Sequence, residues 1–214
     1  MRKIIIPTLI SVLLLASCES EQAKKERLAR EEQQRIEYEQ QRAEKERAEN
    51  IRLEQDRIER EIQLEKERKE QEIYDRYISN SLRTGATPYA KYFGGNSSCN
   101  DYGCSQIKVR TSNSDVLVTI KKNDRVVRHA YIQAGGSYTF SFPNGTYQPF
   151  FYYGKGWNPE KEMKGGELKG GFISDESFGK DDPQYLSNNV LEYTLILQQN
   201  GNFSTRPSNP EEAL

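Results

Sequence analysis

The sequence predicts a long charged α-helix, or a coiled coil, followed by an all-β domain patterned as an antiparallel β-sandwich. Residues 21–79 consist mainly of Glu, Arg, Lys and Gln and contain no Pro or Gly, which is typical of a continuous helix. After Gly85 and Pro88, short alternating apolar runs are separated by turn residues, which is typical of β-strands. The helix and the β domain are joined by a predicted linker at residues 80–90.

The first residues of the chain have the layout of a secretion signal. Arg2 and Lys3 precede a mostly apolar stretch at residues 4–16. As a helix this stretch rises only about 20 Å, well short of the roughly 30 Å hydrocarbon core of a bilayer. We therefore expect residues 1–17 to be a cleaved signal and not a permanent membrane span.

Four residues at the end of this stretch, Leu15-Ala16-Ser17-Cys18, resemble the lipobox of bacterial lipoproteins. The resemblance implies that the Cys18 thiol is acylated and that Cys18 begins the mature chain, within a lipidated N-terminus at residues 18–20. Two or more acyl chains anchor a protein firmly. Glu19 stands where some lipoproteins carry an Asp that retains them at the inner membrane. We therefore expect the outer membrane of a Gram-negative bacterium, facing the periplasm or the cell surface, the alternative being an ordinary signal with an incidental Cys18.

The predicted stalk, residues 21–79, has opposite charges three or four residues apart, and each such pair adds about 0.2–0.5 kcal/mol to an isolated helix. Ile51, Ile62 and Ile73 are eleven residues apart, so a parallel self-associating coil remains an alternative to a single solvated helix. At 1.5 Å per residue the stalk is a rod of about 85 Å. Residues 18–79 hold 15 basic and 19 acidic residues, a net charge of 15 − 19 = −4, which argues against nucleic-acid binding.

The predicted head spans residues 91–206 and is followed by a flexible tail, residues 207–214. Its candidate strands are 106–111, 115–122, 126–134, 137–142, 146–153, 168–174, 190–199 and 202–205. Residues 116–153 resemble the hairpin-rich middle of immunoglobulin-like and transthyretin-like sandwiches. That resemblance implies a fold and carries over no functional residue.

Cys99 and Cys104 are the only cysteines besides Cys18. An even pair in an exported chain predicts a disulfide, with free thiols or a metal site as alternatives. One C-x₄-C pair and the single, distant His129 make a poor ligand set, so neither a metal nor another cofactor is expected.

The sequence contains no nucleophile, metalloprotease or P-loop motif. His129 alternates with Val127 and Tyr131 in a candidate strand, which favours a packed strand residue over a general base. The acidic pairs Asp175-Glu176 and Asp181-Asp182 are interpreted as a solvated loop, although paired carboxylates also serve calcium sites and glycosidases. We therefore expect no enzyme and no catalytic residues, and keep a hydrolase as a distant alternative.

Residues 147–157 contain the densest group of aromatic side chains. A two-layer sandwich buries only one face of each sheet, and neighbouring strand residues point to opposite faces. We therefore predict a binding surface at Trp157, Tyr153 and Phe151. The functional hypothesis is a lipid-anchored protein whose stalk presents the head to another envelope protein, with glycan or peptidoglycan binding as the alternative.

Overall fold

The computed structural model describes residues 20–99, 103–196 and 206–214 and confirms a long helix followed by a β domain with two sheets. The chain divides into two compact units between Glu65 and Lys66, so the last turns of the helix belong to the same unit as the β domain. Residues 80–214 are called the β domain below. Cys18 lies outside the described residues.

Helix α1 spans Glu21–Tyr77 and buries none of its residues. Its first turn is capped by Ser20, whose hydroxyl accepts a hydrogen bond from the Ala23 amide at 3.2 Å. Arg57 bonds to Glu54 and Glu61 on either side of it. Other ion pairs three or four residues apart recur along the helix, as expected. Helix propensity and local ion pairs, with no burial to assist them, account for α1 over most of its length.

The nine strands follow in chain order. They are β1 (Cys104–Thr111), β2 (Asp115–Lys122), β3 (Arg125–Ile132), β4 (Ser137–Pro143), β5 (Gly145–Met163), β6 (Leu168–Lys180), β7 (Gln184–Leu186), β8 (Val190–Leu195) and β9 (Arg206–Pro207). Two short helices, α2 (Ala90–Phe93) and α3 (Pro210–Ala213), flank them.

The strands form a three-stranded sheet, β4-β1-β8, and a larger sheet, β3-β2-β5-β6-β9, with β7 paired to the start of β5. All pairs are antiparallel except β1 and β8, which run in the same direction because β8 is reached by a crossover from the larger sheet. The predicted sandwich is therefore present, with one parallel pair. The candidate strand 202–205 lies outside the described residues, and the short strands β7 and β9 were not predicted.

Strands β5 and β6 extend far beyond their predicted lengths and pair with each other as a long hairpin. The predicted strand ended at Tyr153, and Gly154, Gly156 and Pro159 follow it in the sequence. In the structure a Cβ on Gly154 would lie 2.3 Å from the Phe172 Cβ, so this glycine lets the hairpin strands approach closely. The glycines therefore mark close packing within the strand and not its end.

Two apolar cores lie on opposite faces of the larger sheet. The inner core lies between the two sheets and includes Val118, Phe140 and Phe151. The outer core covers the other face and includes Leu117, Tyr152 and Trp157. The larger sheet is thus buried on both faces, and not on one face only as predicted.

The outer core is covered by the two segments that were predicted to be a linker and a flexible tail. Tyr89, from residues 80–90, is fully buried, and Ala213 and Leu214 at the tail are also buried. Tyr131 exchanges two backbone hydrogen bonds of 2.8 Å with Gly85 and Ala86, which extends the sheet past β3. The predictions of a linker and of a flexible tail are therefore corrected. Burying these apolar side chains against the sheet is more favourable in free energy than leaving them in water.

Cys99 and Cys104 form a disulfide with their Cα atoms 5.8 Å apart, as predicted. The bridge ties the segment before β1 to the first residue of that strand. Cys99 also donates its amide hydrogen to the Ser141 hydroxyl on β4, at 3.2 Å. The disulfide therefore holds the segment that ends at Cys99 against one end of the smaller sheet.

Candidate functional site

The end of α1 is attached to β5 by a pair of hydrogen bonds. The Asn80 carbonyl accepts a hydrogen bond from the Trp157 amide at 2.8 Å, and the Asn80 side-chain amide donates to the Trp157 carbonyl at 2.5 Å. A Cβ on Gly156, which has φ +69°, would lie 2.7 Å from the Tyr77 carbonyl oxygen. Only glycine therefore allows this approach between the helix end and the strand.

Beside this attachment lies an open cleft of about 940 Å³ between the last turns of α1 and the β5–β6 hairpin. This volume is within the range of ligand-binding pockets. Ile73, Tyr74 and Tyr77 line its helix side, and Asn158, Glu160 and Ile173 line its strand side. Ile73 and Tyr74 remain 45% and 43% exposed, so the β domain does not cover the apolar wall of the cleft.

Five charged residues line the cleft, and they are Glu67, Glu70, Arg76, Glu160 and Lys161. Among the carboxylates, that of Glu160 forms no ion pair within the described parts of the chain. Glu70 is 3.8 Å from Lys66 in a well-exposed pair, which contributes little. The cleft therefore combines an apolar wall with a charged rim, in which Glu160 is a carboxylate without an ion pair among the described residues.

The one lysine on the strand side is already engaged. Lys161 donates to the Phe172 carbonyl at 2.6 Å and pairs with Glu176, which also accepts a hydrogen bond from the Tyr152 hydroxyl. Burial, reinforced by the nearby Glu176 carboxylate, raises the pKa of Tyr152 far above its usual range. Tyr152 therefore stays protonated and fastens β5 to β6, since its oxygen also accepts the Phe172 amide hydrogen at 2.8 Å.

The predicted binding surface at Trp157, Tyr153 and Phe151 is wrong, because all three are at most 3% exposed. Trp157 lies in the outer core, with ring centroids 5.3 Å from Phe172 and 5.6 Å from Tyr131. Phe151 and Tyr153 lie in the inner core. Strand alternation correctly predicted that neighbouring rings point to opposite faces of the sheet. Both faces are covered, so none of these rings can contact a partner.

His129 is fully buried, as expected of a packed strand residue. Its Nε2 accepts a hydrogen bond from the Tyr89 amide at 3.1 Å, and its ring lies against Tyr89 and Phe93. Burial lowers the pKa of His129, and the Thr87 backbone opposes this effect in part. The imidazole therefore anchors the covering segment to β3.

The acidic pairs singled out in the sequence are bound to nearby groups. Asp175 pairs with Lys155 at 2.9 Å and Asp182 with Arg206 at 3.0 Å. Asp181 accepts a hydrogen bond from the Tyr193 hydroxyl at 2.6 Å. Within residues 20–99, 103–196 and 206–214, no three His, Cys, Asp or Glu side chains are grouped as metal ligands.

The cleft was not predicted, because its two walls are about 80 residues apart in the chain. A local signal was present in the last turns of α1, where Ile73, Tyr74 and Tyr77 interrupt an otherwise charged helix. An apolar cluster at the end of a solvated helix indicates contact with a neighbouring domain or a partner.

Comparison with known proteins found no family model, curated protein or solved structure that matches the chain. No helix in the described part of the chain is long and apolar enough to cross a bilayer. The structure thus defines a class by fold alone, a long α-helix joined to a two-sheet β domain.

Proposed function

We propose that this chain is an envelope lipoprotein, anchored through Cys18 in the outer membrane, in which α1 presents the β domain for protein–protein interaction. The lipobox resemblance at Leu15-Ala16-Ser17-Cys18 supports the anchor. The cleft, in which Ile73 and Tyr74 are half-exposed, is the main support for the proposed interaction. The cleft therefore replaces Trp157, Tyr153 and Phe151 as the proposed binding surface.

The chemistry of the cleft favours a particular kind of partner. The apolar wall can receive an aliphatic or aromatic side chain of the partner, and the Glu160 carboxylate can attract a cation. The Tyr74 ring can also receive a Lys or Arg side chain over its face. The proposed partner therefore presents an apolar residue next to a basic one.

Site-specific photo-crosslinking in intact cells tests this proposal. A photoreactive phenylalanine analogue at Tyr74 should give a discrete crosslinked protein, and Glu160→Lys in the same chain should weaken that product because it replaces this carboxylate with a cation. The same analogue at Tyr185, which is 73% exposed on β7, is the matched control. Equal products from both positions, or a product insensitive to Glu160→Lys, would contradict binding in the cleft.

Glycan binding is the second candidate, because Tyr74 and Tyr77 lie beside the amides of Gln71 and Asn158. Rings beside hydrogen-bonding amides are the groups with which proteins hold sugars. A sedimentation assay with insoluble cell-wall polymer distinguishes the two functions. Retention of the chain on the polymer, abolished by Tyr74→Ala but not by Tyr185→Ala, favours the glycan, and no retention favours the protein partner.

A further inference from the structure

The end of α1 and the β5–β6 hairpin meet at a joint, which consists of Asn80, Gly156 and the helix end that they contact. Helix α1 ends at Tyr77, and the Asn80 amide donates a hydrogen bond to the Tyr77 carbonyl at 2.9 Å. Only Ile78 and Ser79 stand between these two residues. The chain therefore has little slack between the helix and its attachment to β5.

Asn80 takes the place of a neighbouring strand at the edge of β5. Strand β2 pairs with β5 as far as Gly154, which lies opposite Asp115. Beyond that point the N–H and the C=O of Trp157 are both bonded to Asn80. The Asn80 carboxamide supplies the second donor, which a carboxylate in its place would lack. The Trp157 ring is buried in the outer core, so Asn80 is bound to a fixed point.

Gly156 determines how closely the helix end approaches β5. A Cβ at this position would lie 2.7 Å from the Tyr77 carbonyl oxygen and 2.8 Å from the Ile78 Cα. These are backbone atoms, which cannot turn aside as the end of a side chain can. A side chain at position 156 therefore moves the helix end away from the strand.

The joint lies beside the cleft without lining it. Tyr77, on the helix wall, is three residues before Asn80, and Asn158, on the strand wall, is two residues after Gly156. Asn80 and Gly156 themselves are not among the residues that line the cleft. A displacement at the joint therefore changes the separation of the two walls without removing any group that a partner could contact.

We propose that Asn80 and Gly156 are the positioning residues of the cleft, which fix the separation of its walls and thereby allow one partner to contact both. This inference rests on the interaction proposed for the cleft. A preformed separation spares the partner the cost of ordering the two walls. Because coupling between binding events is reciprocal, a partner that contacts both walls should in turn stabilise the joint.

Electron paramagnetic resonance of the full-length chain in detergent tests the joint. Nitroxide labels are attached to cysteines placed at Gln71 and Glu160, one on each wall of the cleft. The chain without added cysteines, treated with the same label, shows any labelling of the natural ones. The distances between the labels should be narrowly distributed. Asn80→Asp and Gly156→Ala should each widen the distribution about twofold or more, because a loosened joint lets the helix end adopt several positions.

Two control variants separate the joint from general effects. Ser79→Asp adds the same negative charge as Asn80→Asp at an exposed neighbour and keeps the amide donor. Gly165→Ala adds a side chain at a similar φ, +62° against +69° for Gly156, but with nothing within 4 Å of its Cβ position. Both controls should keep the narrow distribution of the parent chain.

The outcomes decide each part of the proposal. An unchanged distribution in Asn80→Asp would overturn it, as would a distribution that is already broad in the parent chain. Equal widening in Gly165→Ala would assign the effect of Gly156→Ala to backbone strain and overturn the role of Gly156. If Gly156→Ala does not fold, Asn80→Asp decides alone, because aspartate has the shape of asparagine and adds no clash.

Photo-crosslinking from position 74 in intact cells tests the consequence for the partner. Asn80→Asp should lower the yield of the crosslinked protein about fivefold or more, because the walls are no longer preformed, and Ser79→Asp should leave the yield unchanged. A yield that Asn80→Asp does not lower would overturn the positioning role. A parent chain that gives no product would overturn the interaction but not the joint, which the distance measurement tests without a partner.

Discussion

At the scale of single residues, burial decides what an aromatic side chain can do. Phe150 and Tyr152 point to the outer core, and Phe151 and Tyr153 point to the inner core, as the alternation of a strand requires. Their sequence could not reveal that both faces are covered, because the covering residues come from residues 80–93 and from the end of the chain. The tertiary structure thus turns a predicted binding surface into two cores.

Trp157→Ala should strongly destabilise the β domain. Trp157 is 2% exposed and lies among Tyr89, Tyr131 and Phe172, so its removal leaves a cavity that costs about 3–5 kcal/mol of unfolding free energy. Urea unfolding followed by circular dichroism measures the loss, with the exposed Tyr185→Ala as the control. A nearly unchanged midpoint for Trp157→Ala would contradict its place in the core.

The stability of the β domain should fall in mild acid because of His129. Burial lowers the pKa of the folded imidazole below the value of about 6.5 in the unfolded chain, so protonation favours unfolding. The contribution of neutral His129 is therefore complete above pH about 6.5 and is lost as the pH falls below that value. A second proton would also displace the Tyr89 amide from Nε2.

Urea unfolding between about pH 7.5 and pH 5.5 measures this dependence, in a range where the chain's single histidine titrates. His129→Gln is the control, because its amide oxygen can accept the same hydrogen bond without titrating. We expect the decline below pH about 6.5 to be largely absent in this variant. An identical decline in both proteins would exclude His129 as the source.

At the scale of elements, the local sequence is sufficient to predict α1 but not the full length of β5. Helix α1 follows from composition alone, because its stabilising contacts join residues three or four apart. Strand β5 runs through Gly154, Gly156 and Pro159, which in most local contexts would end a strand. It continues because β6 pairs with it and because Trp157 and Met163 are buried in the outer core.

A peptide of residues 21–78 should be strongly helical at low salt and should lose helicity as salt is added. Its ion pairs are exposed, so dissolved ions screen them efficiently. Circular dichroism at increasing sodium chloride concentration measures the effect. A random-coil spectrum at low salt would contradict a helix held by local interactions.

At the scale of the whole molecule, the proposed anchor depends on one side chain. Cys18→Ala should abolish acylation and either release the chain from the membrane fraction or leave it as an uncleaved precursor, since no other residue carries the lipobox thiol. Metabolic labelling with palmitate and membrane fractionation measure this outcome. Ser17→Ala keeps a small residue before the cysteine and should remain labelled, whereas normal labelling of Cys18→Ala would exclude lipidation at this position.

The sequence by itself determined the order of the fold, with a charged helix first and a β domain after it, and it also predicted the Cys99–Cys104 disulfide. These features depend on composition, on periodicity and on residues close together in the chain, so a linear reading is sufficient to recover them.

Only the tertiary structure decided which apolar residues are accessible. The linker and the tail cover the outer face of the larger sheet and bury Trp157, while Ile73 and Tyr74 remain exposed in a cleft that Asn158 and Glu160 complete. A side chain is buried when segments distant in the chain pack against it. Which segments pack together depends on the total apolar area that the whole chain buries, and no local sequence pattern reveals it.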